Sequence, residues 1–250
     1  MINLIPMAGL GSRFSQVGYK LPKPLIPVMG KPMILKAVDM MPKANKWIFI
    51  VRKEHVKIYK IDMIIKKHIP NSQIIAIDYA TDGQLSTCLL AREYLKGNQE
   101  LFIGACDNGY LWNKPKFNQL RKKTDVIPWV FTKQNNLTNN PTAWGWVKID
   151  GKGNVLGVSV KKPISDDPFN DYAIIGSFYF RKSSIFLKIA DKIIADNTRV
   201  NNEFYVDTAI NYAPKMGYKT KIFNVDAYLG WGTPKDYEEF NFWQNVFSKI

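Results

Sequence analysis

Four short apolar runs, separated by longer segments with helical spacing, occupy the first 105 residues of this 250-residue chain. The segments predict amphipathic helices, and the runs predict buried β-strands. The helices are expected at residues 32–41, 55–68 and 84–96, and the strands at residues 2–7, 47–51, 73–79 and 101–105. Continuous apolar strands that alternate with helices favour a parallel sheet covered on both faces. The sequence therefore predicts an α/β, Rossmann-like fold whose ligands bind beyond the carboxyl ends of the strands.

The second half of the chain has a more β-rich pattern. Strand-like pieces lie at residues 127–131, 144–149, 155–160 and 174–180. We expect them to extend the first sheet with antiparallel or mixed strands, giving a mainly parallel mixed sheet flanked by helices. Further helices are predicted at residues 183–196, 203–213 and 235–248. No linker or repeat interrupts the sequence, so residues 1–250 are predicted to form a single domain.

The composition narrows the classes of partner. Lysine and arginine exceed aspartate and glutamate by 14 charges, so the chain suits nucleic acid, an anionic membrane or phosphate-bearing small molecules. The lysines are scattered and form no run of five, which disfavours nucleic acid. No apolar run approaches the ~20 residues of a membrane span. With two cysteines and no signal peptide at its N-terminus, the chain is expected to be a reduced, cytoplasmic protein without a membrane partner.

A glycine turn follows the first predicted strand, with the sequence Gly9-Leu10-Gly11-Ser12-Arg13-Phe14. Glycines at such a turn let backbone N–H groups approach phosphate oxygens, and an arginine adds a forked donor. The turn is neither a P-loop nor the GxGxxG dinucleotide motif. Because glycines are common in ordinary turns, this segment alone does not define a phosphate site.

A second segment, Pro22-Lys23-Pro24-Leu25, places a lysine between two prolines. The prolines hold the local backbone extended and restrict the position of Lys23. A fixed lysine facing a phosphate turn would stabilise negative charge that develops during phosphoryl transfer. On its own, Lys23 is equally compatible with a solvated lysine in a surface loop.

Together, the two segments resemble the signature of the sugar-1-phosphate nucleotidyltransferase family, also called the NTP-transferase family. The resemblance continues in the family's order along almost the whole chain. Its later landmarks are Asp82-Gly83-Gln84, Asp107, Gly145, Lys162-Pro163, Gly176, Asn202-Glu203-Phe204-Tyr205 and Gly232-Thr233-Pro234. The resemblance implies a nucleotidyltransferase fold, in which the N-terminal half binds the NTP and the C-terminal half binds the acceptor.

The resemblance also implies a reaction and a set of site residues. An acceptor phosphate oxygen would attack the α-phosphorus of the NTP, and pyrophosphate would leave, with positioning and charge stabilisation as the protein's main contribution. Arg13 and Lys23 are the implied catalytic residues, and Mg²⁺ or Mn²⁺ would be held by Asp107 and Asp226. The implied nucleotide contacts are Ala8, Gly9, Leu10, Gly11, Ser12, Asp82, Gly83, Gln84 and Cys106. The implied acceptor contacts are Asn108, Gly145, Lys162, Gly176 and Glu203.

Three departures from the family pattern bear on the substrates. Gly230 occupies the place of the family's second metal-binding aspartate, so Asp226 would have to reach the metal from upstream. Lys161 replaces the glutamate that precedes the Lys-Pro pair, and residues 81–87 differ from the usual uridylyl and thymidylyl segments. These departures favour an unusual acceptor, with CTP as donor, and the chain resembles the cytidylyltransferases of capsule and cell-surface synthesis.

Several alternatives stay open at this point. Within the same family, the chain could transfer uridylyl, thymidylyl or guanylyl groups to a hexose 1-phosphate. A nucleotide-sugar-dependent glycosyltransferase, a basic nucleic-acid-binding protein and an inactive nucleotide sensor are alternatives from other classes. His55 and His68 are expected to be solvated, and an aromatic stripe near the C-terminus indicates either core packing or a homodimer contact.

Overall fold

The computed structural model describes residues 1–249, in which strands and helices alternate through most of the chain. The strands are β1 (Ile2–Pro6), β2 (Pro27–Val28), β3 (Lys31–Pro32), β4 (Lys46–Arg52), β5 (Gln73–Ile77), β6 (Leu101–Ile103), β7 (Asn108–Leu111), β8 (Val126–Phe131), β9 (Gly145–Ile149), β10 (Val155–Val160), β11 (Tyr172–Phe180), β12 (Phe223–Asn224) and β13 (Ala227–Gly230). The helices are α1 (Ser12–Gln16), α2 (Met33–Met40), α3 (Lys53–Tyr59), α4 (Ile61–His68), α5 (Gln84–Leu89), α6 (Lys114–Arg121), α7 (Asn136–Asn139), α8 (Ser183–Ala195), α9 (Val206–Lys215) and α10 (Pro234–Phe247).

The central sheet is mixed, as predicted. Strands β6, β1, β4 and β5 lie side by side in that order and are parallel, because helical segments connect them. The chain runs from β1 outward to β5 and then returns to β6, on the other side of β1. This reversal leaves a crevice beyond the carboxyl ends of β1 and β6, where ligands of such sheets bind. The predicted α/β fold class is thereby confirmed.

Antiparallel strands extend the sheet beyond β6. The C-terminal part of β11 pairs with β6 and its N-terminal part pairs with β9, while β8 lies along its other edge. The register shifts between Ile174 and Phe178. Gly176 lies at this shift with a φ of +76°, a backbone conformation that glycine adopts without strain. The bend separates β6 from β9 and opens the sheet next to the crevice.

Buried apolar side chains cover both faces of the sheet. One cluster joins the sheet to α2, α4 and α6, and it includes Met33, Ile65 and Phe117. The other joins it to α5, α8 and α9, and it includes Leu85, Ile189 and Ala209. Burial on both faces explains why the parallel strands are continuous apolar runs instead of alternating ones.

The structure differs from the sequence prediction at helix boundaries. The helix predicted over residues 55–68 is two helices, because Lys60 between them adopts a left-handed φ of 52°. The helix predicted over residues 84–96 ends at Leu89 and continues as a short 3₁₀ turn. No helix of the described residues is long and apolar enough to cross a membrane.

Candidate active site

A cleft of about 580 Å³ opens at the carboxyl edge of the sheet, at the crevice beside β1 and β6. Segments from both halves of the chain line it. Among the residues that the sequence singled out, those lining it are Gly9, Leu10, Gly11, Arg13, Lys23, Gln84, Cys106, Asp107, Asn108, Gly145, Gly176 and Glu203. These residues are distant in sequence, so the fold brings most of the predicted site together in one place.

The glycine turn leaves β1 and enters the short helix α1. Gly11 precedes the helix with a φ of +65°, so a side chain there would strain the backbone. Phe14 anchors the turn because its ring is buried and packs edge-on against Tyr19 and Tyr237. Arg13 faces the cleft, while Ser12 borders a small recess beside it. Ala8 is buried behind the turn and does not line the cleft.

Lys23 and Asp107 form an ion pair across the mouth of the crevice. The Lys23 Nζ atom lies 2.6 Å from the Asp107 Oδ2 atom, and both side chains remain about a quarter exposed, at 23% and 25%. Pro22 directs the backbone into the 3₁₀ turn that carries Lys23, and Asp107 follows β6. Gly232 lies close to this carboxylate, since a Cβ atom there would be 3.1 Å from Asp107 Oδ2 and would crowd it.

The ion pair keeps both partners charged. Burial by itself raises the pKa of Asp107, but the charge and hydrogen bond of Lys23, with a contribution from Arg13, bring it below its usual value. Burial likewise lowers the pKa of Lys23, and the Asp107 carboxylate more than offsets this, so the net shift is upward. The cleft thus presents a permanent ammonium and a permanent carboxylate beside the glycine turn.

The donor set around Asp107 fits a cation that takes most of its ligands from substrate. The described residues contain no group of three or more histidine, cysteine, aspartate or glutamate side chains able to hold a metal. Mg²⁺ is usually bound by one or two carboxylates together with phosphate oxygens and water. The Asp107 carboxylate, beside the glycine turn, agrees with that requirement.

Asp226 lies away from this carboxylate, contrary to the prediction that both hold the metal. The strand β13 pairs with β7 so that Gly230 is opposite Asn108 and Ala227 is opposite Leu111. Asp226 therefore lies at the end of the ladder remote from Asp107, five residues or about 17 Å along the strand. It is exposed and does not line the cleft.

The predicted base-reading segment is tied to the C-terminal half by backbone hydrogen bonds. Phe204 N–H donates to Asp82 O at 2.7 Å, and Leu85 N–H donates to Phe204 O at 2.9 Å. A Cβ atom on Gly83 would lie 2.7 Å from Phe204 O, so only glycine permits this approach. Gln84 faces the cleft, whereas the Asp82 carboxylate turns outward and pairs with Arg199 at 3.0 Å. Gly83 and Asp82 thus support the segment without lining the cleft.

His55 is buried and borders the cleft, although the sequence predicted a solvated position. It lies in the first turn of α3, just beyond β4 in the sheet. Its ring is 7% exposed, and Nδ1 is buried without a hydrogen-bond partner among the described residues. Burial, with the nearby Arg52, lowers the pKa of His55, so the ring is neutral at pH 7. Helical spacing alone missed this because the burial of His55 depends on its position beyond β4, the strand next to β1.

The other half of the cleft lies against the bend in β11. Asn108 is buried and its Nδ2 atom donates to Ile175 O at 2.8 Å, so its amide supports the bend. Gly145 begins β9 directly against Asp207, and the position of a Cβ atom there is already occupied by the Asp207 carboxylate. Glu203 faces the cleft from the segment before α9.

Lys161, and not the predicted Lys162, points into the cleft. Lys162 is exposed, whereas the Lys161 ammonium donates to the Ala143 carbonyl and lies 5.7 Å from the centre of the Tyr205 ring. Burial, with Arg13, lowers the pKa of Lys161. Lys161 adopts a positive φ of 62°, which changes the direction of the chain between two adjacent lysines. The family pattern matches Lys162 by its place in the sequence and does not contain the backbone angle that turns Lys161 towards the cleft.

Asp207 and Tyr205 complete this end of the cleft. Asp207 lies four residues after Glu203, in the first turn of α9. Burial raises the pKa of Asp207 to about 6, opposed by the charge of Lys161. Burial and the neighbouring Glu203 raise the pKa of Tyr205 to about 12. Trp144 also lines the cleft, while Trp129 and Trp146 are core residues.

The fold and the cleft together define an α/β nucleotide-binding protein, with a phosphate turn and an ion pair at the point where the strand order reverses. The chain belongs to the nucleotidyl transferase family, whose sequence model matches residues 2–242. The predicted membership of the nucleotidyltransferase family is thereby confirmed.

Individual relatives agree with this assignment. The bifunctional protein GlmU of Caldicellulosiruptor saccharolyticus is 24% identical over 95% of this chain and 50% of that protein. The chain spans half or less of the length of the curated relatives it matches.

Solved structures share the fold. A nucleoside-diphosphate-sugar pyrophosphorylase from Vibrio cholerae superimposes with a TM-score of 0.78 at 21% identity, covering 96% of this chain and 99% of that one. The inositol-1-phosphate CTP transferase from T. maritima gives 0.72 at 12% identity, covering 96% and 93%.

Proposed function

We propose that this protein transfers a nucleoside monophosphate from an NTP to a small phosphorylated acceptor and releases pyrophosphate. The Lys23–Asp107 ion pair carries this proposal, because it lies beside the glycine turn at the reversal of strand order. That position brings the glycine turn, the Lys23 ammonium and the Asp107 carboxylate into one cleft. Phosphoryl transfer requires such groups to bind the phosphates and to stabilise their charge.

Each cleft residue has a physical role in this reaction. Backbone N–H groups of the turn at residues 9–11 and the Arg13 guanidinium bind the triphosphate. Lys23 remains protonated and stabilises negative charge that accumulates as the bond to pyrophosphate breaks. The acceptor phosphate approaches from the Lys161 side, and the fixed walls of the cleft align its oxygen with the α-phosphorus.

Asp107 would hold Mg²⁺, the cofactor that we propose, with the remaining ligands supplied by phosphate oxygens and water. When bound, the ion would neutralise phosphate charge. The residues themselves keep the carboxylate ionised at neutral pH, because Lys23 holds the pKa of Asp107 below its usual value.

CTP is the donor that we propose. The support is the unusual base segment at residues 81–87 together with the neutral His55, whose imidazole lines the same cleft as the glycine turn and Gln84. Transfer to a hexose 1-phosphate with UTP, dTTP or GTP is the second candidate. It is favoured by the relationship to GlmU and by the similarity to a nucleoside-diphosphate-sugar pyrophosphorylase.

We further propose a place in cell-surface or capsule precursor synthesis for the CTP-dependent reaction.

Pyrophosphate release tests the proposal directly. CTP, UTP, dTTP, GTP and ATP would each be combined with Mg²⁺ and a panel of phosphorylated sugars, polyols and amines. Lys23→Met and Asp107→Asn are each expected to lower kcat by at least about 100-fold, because each removes a charge next to the transferring phosphate.

The exposed ion pair Lys192–Asp196, at 2.7 Å on α8, provides matched controls. Lys192→Met and Asp196→Asn remove the same kinds of charge outside the cleft and are expected to leave kcat within twofold. Full activity in both Lys23→Met and Asp107→Asn would contradict the assigned site. Failure of every NTP and acceptor pair to release pyrophosphate would contradict the proposed reaction.

A further inference from the structure

Two residues of opposite charge line the acceptor end of the cleft without pairing with each other. Lys161 and Asp207 both line the cleft, and each influences the pKa of the other. Among residues 1–249, the ion pairs within 4.0 Å include neither side chain. Lys161 is held by the Ala143 carbonyl, and Asp207 lies against Gly145, so both side chains are kept in place.

Burial penalises both charges. It lowers the pKa of Lys161 and raises that of Asp207, which means that each charged form has lost water without gaining a full partner. A ligand with an anionic group at Lys161 and a cationic group at Asp207 would supply both partners. A site with unpaired polar groups rejects ligands that cannot form hydrogen bonds or ion pairs with them. Lys161 and Asp207 would therefore select among acceptors.

The surroundings of Asp207 favour a cation over a neutral hydroxyl. Glu203 also faces this end of the cleft and acts on the same lysine as Asp207. The rings of Tyr205 and Trp144 add aromatic surface beside the two carboxylates. Carboxylates together with aromatic faces attract ammonium groups through charge and through the ring quadrupole. The two carboxylates do not attract a neutral group in this way.

The surroundings of Lys161 favour a phosphate. Arg13, which belongs to the proposed triphosphate site, is near enough to lower the pKa of Lys161 and that of Asp107. Lys161 therefore lies close enough to the proposed triphosphate site for its ammonium to bind the phosphate of an acceptor held beside the NTP. Lys162, which the family pattern would assign to the acceptor phosphate, is exposed and does not line the cleft.

Resting on the proposed nucleotidyl transfer, we infer that the acceptor is a phosphorylated amine, whose ammonium group binds Asp207 and Glu203 and whose phosphate binds Lys161. The acceptor end would thus select a zwitterionic phosphate compound over a neutral sugar phosphate. Lys161 takes the phosphate-binding role that the sequence pattern suggested for Lys162. Asp207 determines which acceptor is used.

Matched pairs of acceptors test this inference on the unmodified protein. Phosphoethanolamine would be compared with ethylene glycol monophosphate, and glucosamine 1-phosphate with glucose 1-phosphate, each with the NTP that gives the fastest pyrophosphate release. Each pair differs mainly by an ammonium in place of a hydroxyl, and one pair is a small amine while the other is a sugar. We expect kcat/KM to be at least about tenfold higher for the ammonium member of at least one pair.

Single substitutions show which residues cause the preference for the ammonium acceptor. Asp207→Asn is isosteric and is expected to abolish the preference by raising KM for the ammonium acceptor at least about tenfold, with KM for the NTP within twofold. Lys161→Met is expected to raise KM for every phosphorylated acceptor. Lys148, exposed on β9, provides the matched control Lys148→Met. The circular dichroism spectrum of each variant is compared with that of the unmodified protein, to verify that the variant is folded, before the kinetics are compared.

The outcomes separate this inference from the proposed function. Turnover with equal kcat/KM for both members of each pair would overturn the inference and leave nucleotidyl transfer intact. A larger increase in acceptor KM from Lys162→Met than from Lys161→Met would overturn the phosphate assignment. Absence of pyrophosphate release with every NTP and acceptor would overturn the proposed function itself, and the inference with it.

Discussion

At the residue scale, the identity of the cleft residues depends on side-chain direction. Lys161 and Lys162 are adjacent and chemically identical, yet one reaches the cleft and the other is exposed. The positive φ of Lys161 decides between them. Asp207 illustrates the same point, since its carboxylate enters the cleft only because Gly145 leaves room for it. Such differences lie in backbone angles and contacts that a sequence pattern does not contain.

Asp207 is predicted to reduce stability at neutral pH. Its pKa is about 6 in the folded protein against a reference of 3.8, so the folded state binds a proton more tightly than the unfolded chain. The contribution is favourable below about pH 4 and is lost as the pH rises through 6. Asp207→Asn should therefore raise the free energy of unfolding by about 2 kcal/mol at pH 7.5, a value reduced for partial solvent screening.

Urea denaturation of both proteins at pH 4 and pH 7.5 measures this effect. The charged groups that act on the same region, Lys161, Glu203, Tyr205 and Arg13, are unchanged in both proteins. The gain is expected to shrink towards zero at pH 4. An equal difference at the two pH values would exclude titration of Asp207 as its cause.

At the element scale, the segment before α5 is attached to the segment before α9. The two backbone hydrogen bonds between Phe204 and residues 82–85 hold both Gln84 and Glu203 at the cleft. Helix α5 begins at Gln84 because Gly83, with a φ of +103°, permits the sharp entry. The contact joins the base side to the acceptor side of the cleft.

Gly83→Ala is predicted to destabilise the protein by about 2 to 3 kcal/mol. The new Cβ atom would lie 2.7 Å from Phe204 O in a backbone conformation that favours glycine, so both strain and hydrogen-bond loss contribute. Gly97→Ala is the control, because a Cβ atom there has nothing within 4 Å. Thermal or urea unfolding checks both, and an equal effect of the two substitutions would contradict the close approach.

At the scale of the whole molecule, the cleft lies where distant parts of the chain meet. The turn at residues 9–13 and Lys23 come from the N-terminal part, whereas Lys161, Glu203 and Thr233 come from the C-terminal part. A nucleotide bound between them would add contacts to both. Binding to the folded state alone stabilises it in proportion to the logarithm of ligand concentration.

NTP binding is therefore predicted to raise the Tm. The preferred NTP with Mg²⁺ at about 100 times its Kd should stabilise the protein by about 2.7 kcal/mol. Asp107→Asn should lose the part of this shift that depends on Mg²⁺ and keep the part that does not. Differential scanning fluorimetry across the five NTPs gives both values, and an unchanged Tm with all of them would contradict the nucleotide site.

The sequence by itself determined the α/β fold class, the positions of the main strands and helices, and most of the cleft. Continuous apolar runs and strand-end motifs such as the glycine turn, Lys23 and Asp107 carry that information locally, and parallel strands gather their carboxyl ends at one edge. Only the tertiary structure decided that Lys161 and His55 face the cleft and that Asp226 lies about 17 Å from Asp107 along a strand. The reason is physical: a left-handed residue, a strand register and a neighbouring surface set where a side chain points, and each of them depends on residues far away in the chain.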